Sequence, residues 1–138
     1  MPSRREPRWL ARDVVAAIHD AQLASNGGLQ GLRDLGALES ALGRPVHRWH
    51  YGEAKDLADC AASYGFGIAK NHPFADGNKR TAFVVVATFY ELNGHELDAT
   101  EVDAVNVMVG VADGSISEKR LATWLRENTA KARRKPKK

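Results

Sequence analysis

Residues 54–94, AKDLADCAASYGFGIAKNHPFADGNKRTAFVVVATFYELNG, hold two apolar stretches separated by a short polar segment. The first stretch is rich in alanine, the strongest helix former, and its larger apolar side chains recur near helical spacing. In the second, residues 83–86 carry β propensity, so a buried strand is the competing interpretation, but the apolar pattern is too long for a typical strand. We therefore predict two central helices, over 54–70 and 78–93, with a break at 71–73.

Helical spacing continues on both sides of this centre. Apolar residues recur every three or four positions in several flanking stretches, while glycine and proline fall mostly between them. We expect Pro45 to end the second helix, because proline disfavours helical geometry in the residue before it. The flanking helices are predicted over 9–24, 37–43, 100–112 and 117–128. The sequence thus predicts a single all-α domain of about six helices.

Composition narrows the class of protein. A chain of 138 residues suits one domain with a self-sufficient core. No apolar run is long enough to cross a membrane, and the first residues lack the apolar stretch of a secretion signal. The single cysteine, Cys60, excludes an intramolecular disulfide framework. We therefore expect a cytoplasmic protein with no membrane contact.

The net charge of +3 comes from the end of the chain. Residues 131–138, KARRKPKK, contain six basic residues, which leaves 14 basic against 17 acidic residues in 1–130. A nucleic-acid-binding body would be basic, so specific nucleic-acid binding is not expected. We predict a domain over 1–130 and a basic, disordered tail over 131–138, although weak contact of the tail with RNA or an acidic partner stays open.

The polar segment between the central helices, HPFADGNKRT (72–81), carries the candidate chemistry. His72 titrates near neutral pH and can accept a proton from a hydroxyl, and Asp76 is a hard oxygen ligand suited to Mg²⁺. Lys79 and Arg80 stand in a first helical turn, where cations are unfavourable unless an anion binds there. These residues describe a phosphate site beside a base. They are equally consistent with a simple turn, in which Asp76 caps a helix and the cations are solvated.

Two neighbouring features leave alternatives open. The glycine-containing segment from Asn26 to Asp34 is either a flap that docks a target segment or an ordinary loop ending in an aspartate cap. His19, in the first predicted helix, either faces the site or lies in the core or at the surface. The chain has neither a kinase glycine-rich loop with its catalytic loop nor a P-loop pattern.

The segment HPFADGNKR resembles the motif of the Fic superfamily, and most closely that of its death-on-curing (Doc) branch, which comprises toxins of bacterial toxin–antitoxin pairs. The resemblance extends through IHDAQLASNGGLQGLRDLGALESALGRP (18–45), YGFGIAKNHPFADGNKRTAF (64–83) and ELNGHEL (91–97), and it covers roughly residues 9–127. It implies a Fic/Doc-type bundle with the motif on a loop between two central helices.

The resemblance also implies a role for each motif residue. His72 would be the general base that activates a target hydroxyl, and Asp76 would hold Mg²⁺. Gly77 and Asn78 would line the phosphate cradle, while Lys79 and Arg80 would neutralise phosphate charge. The implied nucleotide is ATP.

Two departures from the motif separate two reactions. AMP-transferring Fic enzymes usually have glycine at the position of Lys79 and arginine at the position of Phe83. Both of these differences resemble the Doc branch. Gly77, in contrast, matches the AMP-transferring members. The resemblance therefore favours a kinase toxin that phosphorylates a serine or threonine of a translation factor, elongation factor Tu by analogy, and pairs with an antitoxin. The alternatives are an AMP transferase and a non-catalytic Fic domain that only binds a partner.

Overall fold

The computed structural model describes residues 5–131, and that range contains six helices and two three-residue strands. In chain order they are α1 (Arg12–Asn26), α2 (Leu35–His50), α3 (Leu57–Asn71), α4 (Asn78–Leu92), β1 (His95–Leu97), α5 (Glu101–Asp113), α6 (Glu118–Glu127) and β2 (Thr129–Lys131). The predicted all-α class is therefore confirmed. Lys131 belongs to β2, and the rest of the predicted basic tail, 132–138, lies outside the described residues.

Four helices begin at a side-chain cap. In each case an aspartate, serine or threonine accepts a hydrogen bond from the backbone N–H three residues later, which satisfies one of the donors left free in a first helical turn. These caps are Asp34 for α2, Asp56 for α3, Thr100 for α5 and Ser117 for α6. Local sequence thus fixes the starts of these helices.

The core is built around α3, which contacts α2, α4, α5 and α6. Tyr64 and Ile68 of α3 are fully buried, as are Val85 and Val86 of α4. The two central helices were predicted correctly, and the competing strand over 83–86 is wrong, because these residues continue α4. No helix in residues 5–131 has the length and apolarity needed to cross a membrane.

The predicted end of the second helix at Pro45 is wrong. Pro45 lies inside α2, which continues to His50. The buried residues Leu38, Ala41, Pro45 and Trp49 follow one another at intervals of three or four along one face of α2. Packing of this face against α3 outweighs the local preference of proline for a helix end.

The sequence did not predict the two strands. β1 and β2 pair antiparallel, with His95 opposite Lys131 and Leu97 opposite Thr129. The N–H of Asp98 donates to the carbonyl of Asn128 at 2.6 Å and extends this pairing by one bond. The small sheet fastens the segment after α4 to the segment after α6.

Candidate active site

The loop between α3 and α4, residues 72–77, has a left-handed residue at each end. His72 ends α3 with φ 48° and ψ 62°, and in the described part of the chain no other non-glycine residue has a positive φ. Gly77 precedes α4 with φ 75°, a conformation that glycine adopts without steric cost. These two turns bring the His72 side chain and the start of α4 to the same cavity.

Asn78 closes this loop from the inside. Its side-chain oxygen accepts from the N–H of Phe74, and its side-chain nitrogen donates to the carbonyl of Phe74, both at 3.0 Å. Both residues are buried. The amide of Asn78 therefore shapes the loop, and its role in a phosphate cradle stays a prediction, for which the backbone at the start of α4 is available.

His19 of α1 holds the loop from beneath. Its Nε2 lies 2.9 Å from the carbonyl oxygen of Asp76, and because a carbonyl only accepts, Nε2 carries the proton. Its ring stacks on Phe74 with centroids 3.8 Å apart and planes 10° apart. His19 is thus both buried and directed at the site, which resolves the alternatives left by the sequence.

The segment between α1 and α2 runs along the loop like a short strand. The N–H of Ala75 donates to the carbonyl of Gly31 at 2.9 Å, and Leu32 pairs with Phe74 in an isolated antiparallel bridge. Gly28 approaches so closely that a Cβ there would lie 3.0 Å from Oδ2 of Asp76, and its φ of 124° also favours glycine. The segment ends at Asp34, which caps α2. The segment from Asn26 to Asp34 therefore ends in the predicted aspartate cap and also lies against the site, so it combines features of both interpretations.

Asp76 is exposed and does not cap α4. Its Oδ1 accepts from the N–H of Gly77 at 2.9 Å, and its Oδ2 accepts from the N–H of Leu29 at 3.3 Å. No side chain caps α4. A carboxylate has about four acceptor positions, so this one keeps capacity for a further ligand. The simple-cap interpretation of Asp76 is not what the structure shows.

The loop between α3 and α4 and the start of α4 line an open cavity of about 720 Å³. It contains five of the six residues singled out in the sequence, namely His72, Asp76, Gly77, Asn78 and Lys79. Two basic residues that the sequence analysis did not single out, Arg33 and Lys70, also line it. Lys70 lies at the end of α3, and Arg33 lies in the segment from Asn26 to Asp34, for which a flap was one of two interpretations, but the sequence assigned neither residue a role in the site.

Arg80 does not line this cavity. Its Nη1 lies 2.7 Å from Oε1 of Glu101, in the first turn of α5. Both side chains are partly exposed, and an ion pair of this kind is weak, typically about 0–1 kcal/mol. The role predicted for Arg80 in neutralising phosphate charge therefore requires the guanidinium to leave Glu101.

The surroundings of His72 favour the neutral form of its imidazole. Partial burial lowers the pKa of His72, and the positive charges of Lys79, Arg33 and Lys70 lower it further. The same charges, together with the uncapped start of α4, favour an anion in the cavity. The arrangement can hold a phosphate group next to a neutral base.

A metal site made entirely by the protein is not present among residues 5–131, where no three histidine, cysteine or acidic side chains come together. Mg²⁺ in nucleotide sites is commonly held by one or two carboxylates, with substrate phosphates and water completing its coordination. Asp76, exposed and with acceptor capacity left, fits that kind of site.

Comparison with known proteins agrees with this geometry. The model of the Fic/DOC family matches residues 9–90, more than half of the chain and all of the cavity described above. The chain belongs to the Fic/Doc family.

Two relatives define its position within the family. The chain is 37% identical over 120 residues to "Protein kinase doc" of Escherichia phage P1, covering 86% of this chain and 94% of that protein. It is 40% identical over 74 residues to "Toxin Doc" of Mycolicibacterium smegmatis, covering 53% of this chain and 57% of that protein. These relationships support a Doc toxin of the Fic superfamily, and they confirm the prediction of a Fic-type kinase.

Proposed function

We propose that this toxin transfers the γ-phosphoryl group of ATP to a serine or threonine hydroxyl of a translation factor and thereby arrests translation. Elongation factor Tu is the proposed target. The observation that carries the proposal is the cavity itself, where His72, Asp76 and Lys79 meet the uncapped start of α4. The name of the phage P1 relative supports the choice of phosphoryl transfer.

In the proposed reaction, the oxygen of the target hydroxyl bonds to the γ-phosphorus as the bond from that phosphorus to the bridging oxygen breaks. ADP leaves with the electron pair of the broken bond. The imidazole of His72 takes the hydroxyl proton and becomes an imidazolium. A pKa below the ordinary value suits this role, because it keeps the base unprotonated at neutral pH.

The phosphates of the nucleotide would lie against the start of α4. Backbone N–H groups in a first helical turn have no partners within the helix and favour anions. Lys79 and Lys70 add positive charge along the cavity wall. Arg80 would join them once released from Glu101. Phosphoryl transfer depends chiefly on such positioning and charge stabilisation, so no further kinase motif is required.

Asp76 is the proposed protein ligand of Mg²⁺. When bound, the metal neutralises charge on the phosphate oxygens. Asp76 also accepts hydrogen bonds from the N–H groups of Gly77 and Leu29, and these bonds orient its carboxylate at the edge of the cavity.

The alternative of AMP transfer rests on Gly77, which matches the AMP-transferring members. In this structure Gly77 has φ 75°, so its backbone conformation is sufficient to explain the glycine. The residues that favour the kinase, Lys79 and Phe83, have no comparable backbone explanation. Phosphoryl transfer is therefore the better supported reaction.

We further propose a cognate antitoxin as the partner that controls this toxin, since both relatives belong to the Doc branch. A translation factor as target places the activity in the cytoplasm. Neither a membrane nor a specific nucleic acid has a role in this proposal.

The test is the substitution His72→Ala, with His47→Ala as the matched control, because His47 is an exposed histidine of α2 away from the cavity. Loss of a general base typically costs about 10²–10⁴-fold in rate. We expect His72→Ala to abolish growth arrest and to lower phosphate incorporation by that factor, with an unchanged melting temperature. Growth arrest by a stable His72→Ala protein at the wild-type level would refute His72 as the base.

A further inference from the structure

The carbonyl groups at the end of α3 have an unusual partner. The last carbonyls of a helix have no donor within it, and here the chain also turns into a left-handed conformation at His72. Arg33 of the α1–α2 segment reaches both of the last groups. Its Nε donates to the carbonyl of His72 at 2.6 Å, and its Nη2 donates to the carbonyl of Asn71 at 2.5 Å.

The backbone of Arg33 is itself fixed. The N–H groups of Arg33 and Asp34 both donate to the carbonyl of Pro73, at 2.8 and 3.0 Å. Asp34 then caps α2. The guanidinium is therefore attached to a backbone that is already bonded to the loop on one side and to a helix start on the other.

We propose that Arg33 is a positioning residue that holds His72 in its left-handed conformation and so keeps the imidazole in the cavity. The consequence for the reaction rests on the proposed function of His72 as the base. The two hydrogen bonds need a planar fork, because adjacent donors of one guanidinium meet two successive carbonyls. A lysine keeps the charge but offers no fork.

The contacts also distinguish this role from phosphate binding. Two donors on one side of the guanidinium are already engaged with the backbone of α3. The charge of Arg33 adds to those of Lys79 and Lys70 in lowering the pKa of His72, which supports its closeness to the imidazole. Arg33 thus acts through His72 and does not need to touch the nucleotide.

The first experiment reads the backbone directly. NMR of the intact chain gives the φ angle of His72 from its amide–α-proton coupling and its carbon shifts. We compare the unmutated protein with Arg33→Lys, Arg33→Ala and the control Arg12→Ala, which alters an exposed arginine paired with Glu39 only at 4.0 Å. We expect both Arg33 variants to lose the positive φ of His72 and the Arg12 control to keep it.

The second experiment reads the reaction. A misplacement of about 1 Å can cost roughly 10²-fold in rate, so Arg33→Ala and Arg33→Lys should lower kcat by about tenfold to a hundredfold while KM for ATP changes little. Added guanidinium chloride should partly restore Arg33→Ala. It should not restore His72→Ala, and sodium chloride at the same concentration should have no effect.

Three results would overturn the assignment. An unchanged kcat in Arg33→Lys would show that the two adjacent donors of the guanidinium are not needed. A raised KM for ATP at unchanged kcat would make Arg33 a nucleotide ligand. An unchanged φ at His72 in folded Arg33 variants would remove the structural basis. If instead the unmutated protein transfers no phosphate, the proposed function fails, and the NMR comparison still decides the placement of His72 by Arg33.

Discussion

At the scale of single residues, Lys79 acts through its positive charge both on the cavity and on His72. It adds positive charge where the nucleotide phosphates are proposed to bind, and it lowers the pKa of His72. The other positive groups acting on His72 are Arg33, from the α1–α2 segment, and Lys70, from α3. Each of these charges disfavours the imidazolium, so each helps keep the base neutral.

The predicted pH dependence follows from the sign of that shift. The base acts when neutral, so kcat/KM should fall as the pH drops through the pKa of His72, with a midpoint below the ordinary value of about 6.5. Lys79→Met removes a nearby positive charge, which makes protonation easier and should move the midpoint upward. Lys55→Met, an exposed lysine before α3, should leave the midpoint unchanged. A midpoint that stays or moves downward in Lys79→Met would contradict this electrostatic account.

The sequence assigned roles in the site only where its residues are contiguous, whereas for His19 and the segment from Asn26 to Asp34 it left two interpretations open. His72 to Lys79 form one motif, and they line one cavity because a short loop and a helix start necessarily lie together. Arg33 and His19 reach the loop from other parts of the chain. Their spacing in the sequence carries no signal of that contact, because it arises from the packing of α1 and its following segment onto the loop.

At the scale of elements, α3 depends on small residues for close packing. A Cβ added at Gly67 would lie 2.8 Å from the Cβ of Ala41 and 3.0 Å from its Cα, so α2 and α3 touch nearly backbone to backbone at this point. Gly43, in α2, has nothing within 4 Å of the same added atom. The two glycines lie on the same pair of helices and differ in the space around them.

This contrast gives a matched pair of substitutions. Gly43→Ala should raise the free energy of unfolding by about 0.5–1 kcal/mol, since alanine is the better helix former. Gly67→Ala gains the same helix propensity, but overpacking typically costs about 1–3 kcal/mol. Because the contact with Ala41 is rigid, we expect a cost towards the upper end of that range, so Gly67→Ala should lower the free energy of unfolding. Denaturant unfolding of both variants measures the difference. Stabilisation by both substitutions would show that α2 and α3 can separate without cost.

The elements themselves were predictable to different degrees. Apolar periodicity predicted all six helices of the described residues, and four of them begin at a side-chain cap, because periodicity and capping are local properties. The end of α2 was not predictable, because burial of Pro45 against α3 overrides its local effect. The strands β1 and β2 have three residues each, too few for alternation to show, and they exist through pairing with each other.

At the scale of the whole molecule, α1 and the segment that follows it hold the motif loop between α3 and α4 in place. His19 and the α1–α2 segment contact the loop of residues 72–77 from two sides, while Asn78 closes it from within. Arg80 does not line the cavity and is paired with Glu101 of α5. The fold thus places His72, the proposed base, and Asp76 at one open cavity.

The central claim is that this cavity transfers a phosphoryl group. The purified protein, Mg²⁺ and elongation factor Tu are incubated with ATP labelled at either the γ- or the α-phosphate, alongside the His72→Ala variant, and a cell extract replaces the translation factor in a parallel reaction. We predict that label reaches elongation factor Tu only from γ-labelled ATP, that the mass of the target rises by one phosphoryl group, and that the variant transfers about 10²–10⁴-fold less. Label arriving from the α-phosphate, with the mass of AMP added, would contradict the account and make this chain an AMP transferase.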